Sequence, residues 1–380
     1  MAFSIQSILN KTHERKACAL MGPYKVFIDH TAPICSLLNI PMITADPKVK
    51  FTYEHFYPGL KCLIKEWSLD YLLKHYSTVF YAFRPNTSFA EEIKLMQKKE
   101  PHNPIWKNQT KFIYHLHGCS DKGYHSGWIA PKSHFLDVDQ VLFYGKRMKD
   151  IFKDNQVLKG LRSYALIGNY RYLYYLEHRD FYQKLIQKEV FSNFEKEQPT
   201  LLYAPSWTDP EGSCSLFKAY KMVLDNLPEH YNLILKLHPY LSIKTPEYDP
   251  APLYKLLAPY SSRPNIQIVP MLPLIYPLLD RVVAYIGDYS SIGYDALSFK
   301  LPLFFLNHNE RDPQDKGAYL MRCGREIKPD EFKDLYSIIE EELSSRCPLK
   351  MQKQEEVYSY AFGKDCSYSD LKERFIKLLI

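Results

Sequence analysis

The chain has 380 residues, more than one hydrophobic core usually holds and comfortable for two. Apolar residues make up 46% of it, which points to a packed globular protein and excludes a disordered one. The net charge of +6, from 49 basic and 43 acidic residues in mixed clusters, is too weak for a nucleic-acid-binding surface and suits an anionic small substrate.

From the N-terminus, residues 1–16 hold no apolar run long enough for a signal peptide. Strand-like runs follow at 25–29, 41–44, 79–83, 111–116, 141–144 and 163–167, with helical stretches at 33–38, 68–76 and 146–154 between them. Residues 177–197 are charged and helical, and mark the passage into a second half. There the alternation resumes, with strands at 200–203, 232–237, 265–269, 281–286 and 303–306 and helices at 216–227, 253–258, 292–298 and 330–342. An amphipathic helix is expected at 369–379. The most apolar long stretch, 266–286, contains three prolines plus Asp280 and Arg281. It therefore fails the ~20-residue apolar requirement of a membrane helix, and a soluble, cytoplasmic protein is expected. Alternation of this kind implies parallel sheets covered by helices on both faces. The expected architecture is α/β with two Rossmann-like domains facing a central cleft: 1–175, 176–355, and a terminal segment 356–380 packing back on the first domain.

In open α/β sheets ligands bind beyond the carboxyl ends of the strands, so the residues after each strand are the candidates. Four polar clusters fall there: His117-Gly118-Cys119-Ser120-Asp121-Lys122, Tyr203-Ala204-Pro205-Ser206-Trp207, Lys236-Leu237-His238-Pro239, and Asp288 through Asp295. In the last, Ser290 and Ser291 open a helix whose free amides, hydroxyls and positive dipole end suit phosphate oxygens, unless Ser290 is only a cap. Asp295, a turn later, is placed to bond a ribose hydroxyl. Lys236 and His238 share one face of a strand and can neutralise a pyrophosphate and assist a leaving group. His117 puts an imidazole beside a glycine, where it can take a proton from an attacking hydroxyl. His115 is expected to face the core. Cys119 lacks a partner signature, and the eight cysteines show neither a CxxC pair nor a metal-ligand spacing, so reduced thiols are expected and no metal site. The 31 tyrosines are expected to pack cores and interfaces. Glycine-rich dinucleotide and P-loop motifs, HExxH and GxSxG are all absent.

Together these residues resemble the CDP-glycerol glycerophosphotransferase family, which primes and polymerises teichoic acids. Its HG…K, YAPT-aromatic, K/R-x-HP and DYSS…D motifs are matched in order by His117-Gly118 with Lys122, by Tyr203 to Trp207, by Lys236 to His238-Pro239, and by Asp288 to Asp295 with Pro302. Gly168 with Arg171 resembles the G-x-x-R turn that ends the family's first domain. Cys119-Ser120 replaces the family's usual Thr-Pro, Thr208 a frequent arginine, and Gly293 a bulky residue. The resemblance implies a GT-B fold, a CDP-glycerol-like donor in the second domain, a polyol, glycan or lipid-linked acceptor in the cleft, and no cofactor beyond the donor. It implies His117 as base and His238 as stabiliser of the donor phosphates or departing CMP. It also implies a nucleotide pocket lined by Tyr203, Pro205, Ser206 and Trp207, diphosphate contacts from Asp288, Ser290 and Ser291, and substrate contacts from Gly118, Lys122 and Arg171. Lipid-linked acceptors further imply peripheral contact with the inner face of a membrane, for which residues 146–153 offer a basic and aromatic stretch. Two alternatives stand beside this expectation: a GT-B glycosyltransferase or UDP-N-acetylglucosamine 2-epimerase-like enzyme using a nucleotide sugar, and a non-catalytic scaffold that keeps the fold.

Overall fold

The computed structural model describes residues 16–22, 27–85, 87–125, 127–131, 133–244, 248–345 and 348–379. Seven strands form the first sheet: β1 (Lys16–Leu20), β2 (Met42–Thr44), β3 (Cys62–Ile64), β4 (Tyr76–Tyr81), β5 (Lys111–His115), β6 (Gln140–Phe143) and β7 (Tyr164–Leu166). Six form the second: β8 (Thr200–Ala204), β9 (Asn232–Leu235), β10 (Ile266–Ile268), β11 (Ala284–Gly287), β12 (Leu303–Leu306) and β13 (Arg325–Ile327). Their orders are β3-β2-β1-β4-β5-β6-β7 and β10-β9-β8-β11-β12-β13. Every pairing is parallel. Central strands of such sheets are covered on both faces and must be mostly apolar. β8, β9 and β12, reading TLLYA, NLIL and LFFL, are buried at every position.

Helices on the first sheet are α1 (Ile28–Leu38), α2 (Pro47–Phe56), α3 (Leu69–His75), α4 (Phe89–Lys99) and α5 (Lys146–Asp154). Local chemistry starts several of them. Asp46, Ser68 and Ser88 cap α2, α3 and α4 by accepting backbone N–H groups, and α4 adds Glu91 and Glu92 at its positive end and Lys98 and Lys99 at its negative end. The crossover is a helix pair, α6 (Tyr170–Glu177) and α7 (Arg179–Glu189), hinged at His178. The second sheet carries α8 (Leu216–Asp225), α9 (Ala251–Ser261), α10 (Tyr276–Leu279), α11 (Ser291–Ala296) and α12 (Leu335–Ser345). The chain then returns: α13 (Pro348–Phe362) packs on α5, and α14 (Tyr368–Lys377) on α1 and α6. Two parallel sheets with helices, facing across a cleft, are the GT-B architecture. No helix among the described residues is long and apolar enough to cross a membrane.

One expected element differs. The strand at 25–29 is replaced by the start of α1 at Ile28, while residues 25 and 26 lie outside the described residues. The first strand is instead β1, whose KACAL sequence has no β-branched or aromatic residue and is held by pairing on both edges with β2 and β4.

Candidate active site

The carboxyl ends of both sheets meet at the cleft. Beyond β5 the chain turns through His117-Gly118, where Gly118 has φ +126°. A side chain there would put its Cβ 2.7 Å from Cβ of Ser291, at the start of α11 in the other domain. The glycine thus lets the His117 loop touch the Ser290-Ser291 helix start directly. Ser290 caps α11 without a side-chain hydrogen bond to its first turn, and its hydroxyl lies 3.4 Å from that of Tyr285. The side chain therefore takes none of the first-turn amides, while the Ser290 carbonyl accepts the Gly293 N–H at 3.1 Å.

Beyond β9, Lys236 is buried and donates its Nζ proton to the Leu272 carbonyl at 2.8 Å. His238 accepts the Tyr240 N–H on Nδ1 at 3.2 Å, so its neutral ring carries the proton on Nε2. Trp207 lies over His238 with ring centroids 6.2 Å apart and stacks on Trp128 of the first domain at 5.6 Å and 15°.

Two adjoining cavities of about 360 and about 400 Å³ occupy this cleft. His117, His238, Trp128, Trp207, Tyr240 and Ser291 line both. The first also reaches Asp29, His30, Arg171, Lys236 and Asp295. The second reaches Gly118, Lys122, Pro205, Ser206 and Ser290, with Arg84 and His134 farther out. A larger cavity of about 690 Å³ lies at the opposite, amino ends of the second sheet's strands and contains none of the four polar clusters.

Burial sets the protonation states. It pushes His117 down to about 4, helped by the charge of Arg171, and His238 down to about 3, helped by Lys122 and Lys236. Both imidazoles are neutral at pH 7. Burial also lowers Lys236 to about 8 and raises the carboxyls of Asp288 and Asp295.

Several expected ligands are already engaged by the protein. Arg171 spans the cleft, pairing with Asp29 of α1 and, at 3.0 Å, with Asp295 of α11. Tyr276 donates to the other oxygen of Asp295 at 2.8 Å. Lys122 bonds the Ser206 hydroxyl and pairs with Asp209 at 3.0 Å.

The structure corrects two expectations. Tyr203 does not line the pocket: it is fully buried, and its hydroxyl bonds Ser215 at 3.1 Å, because that face of β8 points into the second domain's core. Asp288 does not face the cleft either. Its carboxylate turns inward to accept the N–H groups of Ser206 at 2.6 Å and Ser215 at 3.2 Å, so it anchors the loop after β8. His115 is fully buried, as expected, in a strand whose last four positions are all buried.

Phe27, Asp29, His30, Trp128 and Tyr240 also line the cavities and lie outside the four polar clusters. Recognising KACAL as a strand would have directed attention to Phe27–His30, which follow it. Among the described residues no three His, Cys, Asp or Glu side chains gather as a metal site.

No family model matches the chain, and no curated protein sequence does. Solved structures do. The wall teichoic acid polymerase TagF is similar at 17% identity and a TM-score of 0.59, over 96% of this chain and 88% of that one. UDP-GlcNAc 2-epimerase from Neisseria meningitidis, bound to UDP-GlcNAc, is similar at 12% identity and 0.57, over 95% and 100%. The S. aureus MnaA–UDP structure is similar at 14% and 0.57, over 95% of both chains. Likeness at such identities establishes the fold: this chain has the GT-B fold of these structures.

Proposed function

We propose that the protein is a nucleotide-diphosphate-dependent transferase, and that its reaction moves glycerol phosphate, or a similar polyol phosphate, from a CDP-linked donor to an acceptor hydroxyl. The observation that carries this is the meeting of His117, His238 and the Ser290-Ser291 helix start around one pair of cavities, with one imidazole from each domain. An acceptor oxygen attacks the phosphorus that bears glycerol and gives its proton to His117. The new P–O bond forms as the bond to the CMP phosphate breaks, with the electron pair leaving on CMP. His238, as an Nε2–H donor, hydrogen-bonds that departing oxygen. The α11 amides and Ser291 bind the diphosphate, and Trp207 with Pro205 walls the nucleotide side. Asp288 and Arg171 serve by holding the loops, and both oxygens of Asp295 already accept protein donors, which leaves only their remaining lone pairs for a ribose hydroxyl.

A nucleotide sugar is the second donor class, favoured by the UDP-linked neighbours, whose TM-scores of 0.57 lie close to the 0.59 of TagF. Incubation with CDP-glycerol against a panel of UDP-sugars separates the two. CMP release with CDP-glycerol is expected, and turnover with UDP-sugars alone would reject the phosphotransfer chemistry. His117→Ala is expected to lower turnover about 100-fold or more while the rise in melting temperature given by the donor persists. Full activity in that variant would remove His117 from the role of base.

A further inference from the structure

His30, near the start of α1, lines the 360 Å³ cavity beside His117, with ring centroids 6.3 Å apart. Its Nδ1 lies 3.2 Å from the Tyr144 hydroxyl, Tyr144 lies 3.3 Å from the Tyr170 hydroxyl, and Tyr170 donates to the His30 carbonyl at 2.8 Å. Each tyrosine has a single proton. Tyr170 spends its proton on the carbonyl. If Tyr144 donates to Tyr170, all three contacts become hydrogen bonds, provided that His30 donates from Nδ1. Were Tyr144 to donate to His30 instead, the buried contact between the tyrosines would carry no proton. The ring of three bonds is favoured by one buried hydrogen bond. It selects the Nδ1–H tautomer.

The remaining nitrogen, Nε2, then presents a lone pair. It has no protein partner among the described residues, and it belongs to a side chain on the cavity wall. Burial, with Arg171 next in effect, holds the ring's pKa well below 6.5 and keeps that lone pair unprotonated.

We propose that Nε2 of His30 is a substrate-binding acceptor that takes a hydrogen bond from a hydroxyl of the polyol or sugar in the cleft. Tyr144 is the positioning residue that sets its tautomer. Neither nitrogen of His117 is held by a protein group among the described residues, so the two imidazoles divide the work: His117 is free to take a proton, and His30 is locked as an acceptor. Two such nitrogens side by side select a substrate with two neighbouring hydroxyls over one with a single hydroxyl. The inference rests on the transferase function for the identity of its ligand, and not for the tautomer.

Proton–nitrogen correlation spectra of histidine-labelled enzyme at about pH 7 test it, with His30 assigned through His30→Gln. A protonated Nδ1 and an unprotonated Nε2 are expected, and Tyr144→Phe should give a mixture of tautomers. A protonated Nε2 in the wild type overturns the proposal. Glycerol, added as the polyol probe, should move the Nε2 resonance, and an unmoved resonance overturns it too. In turnover, His30→Phe should lower kcat/KM for the hydroxyl substrate about tenfold, with His30→Gln recovering much of the loss and nucleotide-induced melting shifts unchanged in both. Wild-type turnover in His30→Phe counts against the role. Failure of every nucleotide to stabilise or react with the wild type rejects the transferase function instead, and the tautomer and glycerol measurements then decide His30 on their own.

Discussion

His117 and His238 are neutral for the same reason, burial, yet their nitrogens are constrained differently. His238 is fixed by the Tyr240 N–H as an Nε2–H donor, while His117 packs edge-on against Phe27 at 5.2 Å and is oriented by shape. A general base works unprotonated, so activity must fall as pH drops through the pKa of His117. In the free enzyme that value is about 4, and kcat/KM reports the free enzyme. Once the donor binds, its negative charges beside the ring favour the imidazolium and raise the pKa. The acid limb of kcat should therefore lie at higher pH than that of kcat/KM, and kcat/KM should stay nearly flat from about pH 7 to about pH 5.5. pH–rate profiles with saturating and limiting donor measure both limbs. A kcat/KM limb near 6.5, the ordinary histidine value, would show that His117 titrates as an exposed group.

At the scale of elements, the decisive contact is the His117-Gly118 loop against the start of α11. Gly118→Ala meets two obstacles at once: φ +126° disfavours any side chain, and the new Cβ would sit 2.7 Å from Ser291. The loop must withdraw, carrying His117 away from the helix start. A stability loss of about 1–3 kcal/mol is expected, with turnover reduced further than stability alone explains. Urea midpoints and initial rates on the same preparation check this, and an alanine variant as stable and active as the wild type would contradict the contact. How much of this was legible beforehand depended on whether the information was local. The strand ends at His117, Lys236 and Asp288 could be located because apolar runs stop there at turn-forming residues. β1 could not, because Lys-Ala-Cys-Ala-Leu has no strand preference of its own and takes its conformation from the neighbours on either edge. Missing it hid Phe27 and His30. Asp288 was located but misassigned in role. Its carboxylate is turned by amides of Ser206 and Ser215, 82 and 73 residues away in sequence, which no local pattern encodes.

Across the whole molecule, the two domains are joined by buried charges. Arg171 spans to Asp295, and Lys122 to Asp209. Asp121, beside Arg147, accepts from Tyr294 at 2.8 Å and from the Leu320 N–H at 2.8 Å. Folding buries histidines both in the cleft and in the first sheet, and that has a cost in acid. His115 and His238 are lowered to about 3, and His117 and His134 to about 4, in each case chiefly by burial. In the unfolded chain they return to about 6.5. Between those values the unfolded state binds more protons, so the stability these groups contribute is complete above about pH 6.5 and is lost as pH falls. Each adds a slope of up to about 1.4 kcal/mol per pH unit within the window. The carboxyls of Asp288 and Asp295, raised by burial, titrate in the opposite sense and offset part of the loss. Urea unfolding between about pH 7 and about pH 5 should show a steady fall in midpoint. His115→Leu should flatten that fall by one histidine's share, because His115 lies in β5 with neither ring nitrogen paired to a side chain among the described residues, and its replacement removes a buried titrating group. Stability that is flat over this range would mean that the histidines are solvated in the native protein and that the cleft stands open.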